Sequence, residues 1–288
     1  MSDCSTTRVE STNGKGHISH NNPQGTQQFE LYSSHGNGHL HPLIGKRLHL
    51  PLKPIIFESQ ISQDCPNYIQ HHQIQATTIF PATAYLEMAL VAGINVFKSD
   101  SISLEDVKIE HPLFFEGNQV KDIELILTPQ DSHSCTFEIF SLNTVGDSWT
   151  LHTLGKIIKV TDITQPSPVN LENLSIDSLE SVNVEDYYQQ LQQRGMDYGA
   201  SFQAITDLWQ YEGMALGQIQ LPEPLVNEAC NYKLHPVLLD ASLQVLGAAL
   251  SREDSGDAYL PVGLKQYQVY GSVPLHLWSR VKLNQDSS

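Results

Sequence analysis

The sequence has few basic residues and no long apolar run, and both shortages exclude classes of protein. Its 288 residues carry 16 Lys and Arg against 32 Asp and Glu, a formal net charge of -16. A surface that binds nucleic acid needs clustered positive charge, so this balance argues against DNA or RNA as a partner. No apolar stretch reaches the roughly 18 residues of a membrane-spanning helix, so no membrane partner is predicted.

Cysteine is also scarce, with four residues that lie far apart. This spacing excludes a zinc ribbon or a disulfide framework and is typical of a reducing cytoplasm. The first residues show no basic segment followed by an apolar one, so we expect no secretory signal and a cytoplasmic location. Two close histidine pairs, His39 with His41 and His71 with His72, lack a third ligand at a fitting spacing, so no metal site is predicted.

Two polar stretches divide the chain. Residues 1–38 have no apolar period and predict a disordered tail. Residues 161–182, which include a Pro-Ser-Pro segment, predict a linker. They leave two folded regions, 41–160 and 183–288, and the total length suits one large domain or two of ordinary size.

Each of these regions combines strands with one long apolar helix. The first helix is predicted at Ala82–Phe97, where Pro81 stands at the start and apolar residues share one face. The second is predicted at 236–250, and Asn183 is expected to cap a shorter helix that ends at Arg194. Apolar alternation predicts strands that include residues 122–127, 137–141, 149–152, 157–160, 215–221, 266–270 and 275–283.

Two polar residues stand out because their neighbours are apolar. His72 lies just before the first long helix, and Asp240 lies inside the second, with Gln244 one turn further on. A lone buried carboxylate is costly, so we expect Asp240 to be paired or to have a raised pKa. From spacing alone, a structural His and a half-exposed helical Asp are commoner than a catalytic pair, and both interpretations stay open.

The residues around this pair resemble the motifs of polyketide synthase dehydratase domains. The segment from His72 to Pro81 is similar to the motif of His, three residues, Gly, four residues and Pro. The segment from His235 to Gln244 resembles the second motif, in which Asp is followed four residues later by Gln or His. Weaker matches occur in the family's order at 41–45, 149–155, 198–202 and 260–262.

The resemblance implies an α+β double hotdog. In this fold two antiparallel sheets each wrap a long central helix and pack side by side, and the active site lies at the seam. The first hotdog would be 41–160 and the second 183–288. The family's second hotdog normally continues with further strands, so the second is expected to be incomplete at its C-terminus.

The resemblance also implies the reaction, which is loss of water from a 3-hydroxyacyl thioester on an acyl carrier protein. His72 would be the general base and Asp240 the general acid, while Gln244 would orient Asp240 or the substrate hydroxyl. No cofactor is implied beyond the carrier's phosphopantetheine arm. The implied partners are the acyl carrier protein and other synthase domains, with a homodimer left open. The implied substrate-binding residues are Ala76, Pro81, Tyr198, Gly199, Phe202 and Pro261.

Three positions depart from the family pattern. Ala76 and Ala82 replace glycines, and His71 stands where an acidic residue commonly precedes the catalytic His. A methyl group at Ala76 would crowd the thioester or require an unusual backbone angle. Two alternatives therefore stay open: a non-catalytic structural double hotdog of a megasynthase, and a cyclisation-controlling relative of the same fold.

Overall fold

The structure is a computed structural model that describes residues 8–10, 41–117, 119–143, 147–161, 179–211, 213–250 and 260–284. The predicted tail, 1–38, lies outside the described residues except for Arg8–Glu10, which form a short strand. The predicted linker, 161–182, also lies outside them except at its two ends. None of the helices in these ranges is long and apolar enough to cross a membrane.

The described elements are strands joined by a few helices. The strands are β1 (Arg8–Glu10), β2 (Lys46–Leu48), β3 (Ile55–Ser62), β4 (His72–Ile74), β5 (Thr77–Ile79), β6 (Ile102–Ile109), β7 (Phe114–Phe115), β8 (Val120–Pro129), β9 (Ser134–Leu142), β10 (Trp149–Lys159), β11 (Glu180–Val182), β12 (Met196–Tyr198), β13 (Ile205–Tyr211), β14 (Met214–Gln220), β15 (Gly263–Gln268) and β16 (His276–Lys282). The α-helices are α1 (Ala82–Phe97), α2 (Val184–Gln193), α3 (Pro236–Gln244) and α4 (Leu246–Ala249).

The first half folds as an antiparallel sheet around α1. Its strand order is β15-β6-β10-β9-β8-β3-β2. The alternation predicted in β8 is present, because Ile123, Leu125 and Leu127 are all buried in the core that contains α1. Most of α1 is buried as well, which explains why this helix is apolar on nearly every side. The helix has the bounds that the sequence predicted.

The second half forms a smaller sheet around α3 and α4, in the order β1-β16-β14-β13-β11. The sequence predicted one helix over 236–250, but α3 ends at Gln244 and α4 starts at Leu246. The hydroxyl of Tyr187 donates a 2.6 Å hydrogen bond to the Gln244 carbonyl. The N–H of Ala248, which would reach that carbonyl in a continuous helix, instead bonds the carbonyl of Val245 at 3.1 Å, and the helix is interrupted there.

One strand of the second half joins the first sheet. The sequence predicted strands at 266–270 and 275–283 in the sheet of the second half, but β15 pairs with β6 of the first half while β16 pairs with β14. In other respects the two halves have the same arrangement. In the first half β3 pairs with β8 around α1, and in the second half β14 pairs with β16 around α3. Among the described residues, no counterparts of β9 and β10 lie between β16 and β15.

A third, four-stranded sheet crosses the seam between the halves, in the order β12-β4-β5-β7. Strands β4, β5 and β7 precede the linker in the sequence, whereas β12 follows it. The pairing of β4 with β12 sets His72 directly opposite Tyr198. This small sheet therefore aligns the two halves at the point where the candidate residues lie.

Candidate active site

His72, the first residue of β4, has a buried side chain that the neighbouring strand holds in place. Its Nδ1 lies 2.9 Å from the carbonyl oxygen of Ile79 in β5. Because a carbonyl can only accept, Nδ1 carries the proton of the neutral ring and Nε2 keeps a free lone pair. The hairpin backbone thus fixes both the tautomer and the direction of the ring.

Asp240 lies on α3 and is only 7% exposed. Its Oδ2 accepts a 2.8 Å hydrogen bond from Nε2 of Gln244, one turn further along the helix. Burial raises the pKa of Asp240 above its ordinary value, and His72 and the Gln244 hydrogen bond only partly offset this effect. The protonated carboxyl group is therefore favoured, in agreement with the expectation from its apolar surroundings.

The two side chains face each other across the seam. Nε2 of His72 lies 3.7 Å from Oδ1 of Asp240, which is too long for a hydrogen bond. The ring centroids of Tyr198 and Phe202 lie 5.6 and 5.0 Å from that of His72 and cover it on the side of the second half. A ring nitrogen with a free lone pair and a carboxyl group with a raised pKa therefore face each other in a buried aromatic setting, which is the arrangement that acid–base chemistry on one substrate requires.

Gln244 is the centre of a hydrogen-bond network that holds Asp240. Besides Asp240, its Nε2 donates to the carbonyl of Phe202 at 3.0 Å, and its Oε1 accepts from the Tyr188 hydroxyl at 3.0 Å. The Tyr188 oxygen in turn accepts from the N–H of Ile205 at 3.1 Å. Tyr188 was absent from the sequence-based candidates, because a tyrosine on the apolar face of an amphipathic helix such as α2 looks like a core residue.

Three other predicted substrate-binding residues, Pro81, Gly199 and Pro261, lie in three different surroundings. Pro81 is buried at the N-cap of α1, two residues after Ile79. Gly199 donates its N–H to the carbonyl of His71 at 2.8 Å, and a Cβ there would lie 2.9 Å from that of His71, so only glycine fits. Pro261 is exposed just before β15, and none of the described contacts of the catalytic candidates involves it.

Ala76 lies in the exposed two-residue turn between β4 and β5. Gln75 and Ala76 have φ angles of 50° and 60°, so both are in the left-handed region that a type I′ hairpin turn requires. Glycine suits such a position, and an alanine there is strained. The N–H of Ala76 donates to Oδ2 of Asp197 at 3.2 Å. Where the family pattern has glycine, Ala76 therefore affects the backbone angle of the turn.

An open cleft is lined in part by Tyr198, whose ring packs against that of His72. Its volume is about 710 Å³, and the lining residues include Tyr188 and Tyr198 but neither His72 nor Asp240. Many of the other lining residues are amides, namely Gln70, Gln73, Gln189, Gln192 and Gln203. The described part of the chain contains no group of three or more His, Cys, Asp or Glu residues that could hold a metal ion.

Comparison with protein families gives two matches that together span most of the chain. The family model described as "Polyketide synthase dehydratase domain" matches residues 41–142. The family model described as "Polyketide synthase dehydratase N-terminal domain" matches residues 166–288. Among curated proteins, polyketide synthase PksM of Bacillus subtilis is 28% identical over 232 residues, which are 76% of this chain and 5% of that protein. The chain thus spans only a small part of the synthases that it matches.

Solved structures agree with the family matches. The dehydratase domain from the CurF module of curacin polyketide synthase is 32% identical, with a TM-score of 0.81 over 86% of this chain and 89% of that domain. The dehydratase domain from the CurK module is 35% identical, with a TM-score of 0.79 over 86% and 88%. Two further CurK structures carry inactive variants, one with an aspartate replaced and one with a histidine replaced. These similarities confirm the double-hotdog fold.

The strained turn generates the first prediction. Ala76→Gly should raise the free energy of unfolding by about 1 kcal/mol, because glycine adopts the left-handed region without steric conflict. Urea denaturation of both proteins measures the difference. Ala82→Gly is the matched control, since Ala82 is helical and glycine there should not stabilise. An unchanged or lower stability for Ala76→Gly would show that the turn is not strained.

The buried carboxyl group generates the second prediction. The pKa of Asp240 is higher in the folded chain than in the unfolded one, so wild-type stability falls as pH rises from the ordinary Asp value through the folded value. Asn cannot ionise, so Asp240→Asn should gain stability relative to wild type as the pH rises from 4 to 8. Urea denaturation at both pH values tests this, and a difference independent of pH would contradict it.

Proposed function

The chain belongs to the polyketide synthase dehydratase domains, and from this premise we propose that it removes water from a 3-hydroxyacyl thioester on an acyl carrier protein. The product would be a 2-enoyl thioester, and the enzyme a lyase. The observation that carries the proposal is the 3.7 Å separation between the unprotonated Nε2 of His72 and the buried carboxyl group of Asp240. The inactive aspartate and histidine variants of CurK support the same pair of residue types.

His72 and Asp240 each carry out one of the two proton transfers. Nε2 of His72 takes the proton on the carbon next to the thioester carbonyl, and the C–H electron pair shifts towards that carbonyl. The protonated Asp240 gives its proton to the hydroxyl on the next carbon, the C–O bond breaks, and water leaves. The electron pair then forms the double bond. The His72 ring keeps its Nδ1 proton on the Ile79 carbonyl throughout, which holds it in the productive direction.

The second function, a non-catalytic structural domain, finds less support in the geometry. His71 directs its Nδ1 to the hydroxyl of Ser201 at 2.7 Å, and Ala76 is exposed in its turn. Neither of these departures alters a contact of the catalytic candidates. The hydrogen bonds that hold Asp240 through Gln244 are complete, which favours an enzyme.

The partners follow from the substrate. The acyl group would arrive on the phosphopantetheine arm of an acyl carrier protein, and neither a metal nor a further cofactor is needed for the two proton transfers. The chain would act beside the other domains of a polyketide synthase, with a homodimer as the expected assembly to test. The scattered free thiols favour a cytoplasmic location.

The kinetic prediction concerns the pair. His72→Ala and Asp240→Asn should each lower kcat by ~100- to 10,000-fold, because each removes one of the two proton-transfer groups. Asp240→Asn keeps the side-chain shape, so the Michaelis constant should change little. The assay follows enoyl thioester absorbance with 3-hydroxybutyryl pantetheine as substrate. His71→Ala is the matched control and should stay near wild type. Full activity of His72→Ala would refute the assignment of roles.

The pH prediction follows from the required protonation states. The acid must keep its proton to donate it, so activity should fall at high pH as Asp240 ionises. Because the pKa of Asp240 is raised, this high-pH limb should lie above the ordinary range of an aspartate. A profile of kcat against pH measures the limb. In Asp240→Asn the high-pH limb should disappear, and its persistence would assign that limb to another group.

A further inference from the structure

A carboxylate outside the catalytic pair connects the two halves. Glu87 lies on α1 and is only 1% exposed. Its Oε1 accepts a 2.6 Å hydrogen bond from the N–H of Lys233, and its Oε2 accepts one of 3.1 Å from the N–H of Leu234. One side chain of the first half thus holds two consecutive backbone groups of the second half.

His41 supports this carboxylate from the other side. Nδ1 of His41 accepts from the N–H of Leu43 at 3.1 Å, so the neutral ring carries its proton on Nε2. Nε2 lies 3.3 Å from Oε1 of Glu87, although the direction is not that of a hydrogen bond. Two backbone N–H groups therefore compensate the buried carboxylate, and the His41 ring lies against it.

The backbone held by Glu87 leads directly into the helix that carries Asp240. Leu234 precedes His235, whose Nδ1 caps α3 by accepting from the N–H of Val237 at 3.2 Å. Asp240 follows within the first turns of α3. A shift of the chain at Leu234 would therefore move the start of α3 and the catalytic carboxyl group with it.

The other end of the connection leads to His72. Glu87 lies in the second turn of α1, and α1 begins three residues after Ile79, whose carbonyl holds Nδ1 of His72. The supports of both catalytic candidates are therefore joined through one carboxylate. An apolar side chain could not take its place, because it cannot accept the two backbone N–H groups.

We propose that Glu87 is a positioning residue that sets the separation between Nε2 of His72 and Asp240. Its catalytic consequence rests on the proposed dehydratase function, whereas its effect on the separation does not. The carboxylate acts by fixing the entry of α3 relative to α1, with His41 holding it in place. Misplacement of a reacting group by about 1 Å can lower a rate about 100-fold, so even a small shift of α3 matters.

Glu87→Gln is the test variant. Its amide has nearly the same shape, but its NH₂ group cannot accept a hydrogen bond, so it must face one of the two backbone N–H groups. We expect kcat to fall by at least about 10-fold and the Michaelis constant to change by less than about 3-fold. Glu228→Gln is the matched control: Glu228 lies 3.4 Å from His235, and in the described contacts it accepts no backbone N–H at the start of α3. That variant should keep wild-type kinetics.

A double-mutant cycle separates positioning from general destabilisation. If Glu87 acts through Asp240, then Glu87→Gln should lower the residual kcat of Asp240→Asn by less than about 3-fold. An equal fold loss in both backgrounds, or an unchanged kcat in the wild-type background, would overturn the proposal. If Glu87→Gln does not fold, Glu87→Asp gives the same test, because it keeps the charge and withdraws the oxygens by one methylene.

Crystal structures of the wild type and of the variant give a readout without activity. The distance between Nε2 of His72 and Oδ1 of Asp240, 3.7 Å in the wild type, should increase by about 1 Å in Glu87→Gln. An unchanged distance would overturn the positioning role even in an active enzyme. An inactive wild type with an increased distance in the variant would instead refute the dehydratase function and leave the positioning role intact.

Discussion

The burial of the Asp240 carboxyl group is the constraint on which most of the site depends. A carboxyl group away from water needs hydrogen-bond partners or its proton, and here Gln244 donates to Oδ2 while burial raises the pKa. The Gln244 amide then needs partners for its other hydrogen-bonding groups, and these are the Phe202 carbonyl and the Tyr188 hydroxyl. The hydrogen bonds that hold one carboxyl group therefore also attach α2 and the segment after β12 to α3.

The same constraint explains why the two halves need a shared sheet. The proposed base comes from β4 and the proposed acid from α3, and a separation of 3.7 Å between them requires the halves to be aligned within fractions of an ångström. Pairing of β4 with β12 supplies this alignment through backbone hydrogen bonds, with His72 opposite Tyr198. The close approach of Gly199 to His71 continues it. The small sheet thus joins the segment of His72 to the segment of Tyr198, which lies far away in the sequence.

The sequence predicted the elements that have a repeating apolar pattern. It did not predict the arrangements that depend on pairing between distant strands. Helix α1 was predicted with its observed bounds, because its length and apolar character are local properties, and the buried alternation of β8 is equally local. The three-residue strands β4 and β12 have no period to detect, and the position of β15 beside β6 depends on long-range pairing. The break at Gln244 arises from the hydroxyl of Tyr187, a contact between residues far apart in the chain.

The turn at Ala76 also narrows how negative charge on the thioester oxygen can be stabilised. Two groups of backbone donors lie near His72, namely the N–H of Ala76 and the first N–H groups of α1. The N–H of Ala76 already donates to Asp197, and breaking that bond would leave a carboxylate without its partner. Helix α1 begins close to the support of His72, and its N-cap, Pro81, has no side chain that could occupy the first N–H groups. The N-terminus of α1 is therefore the better candidate to stabilise developing charge on a thioester oxygen, and a carbonyl bound there would lie on the same side of the seam as His72.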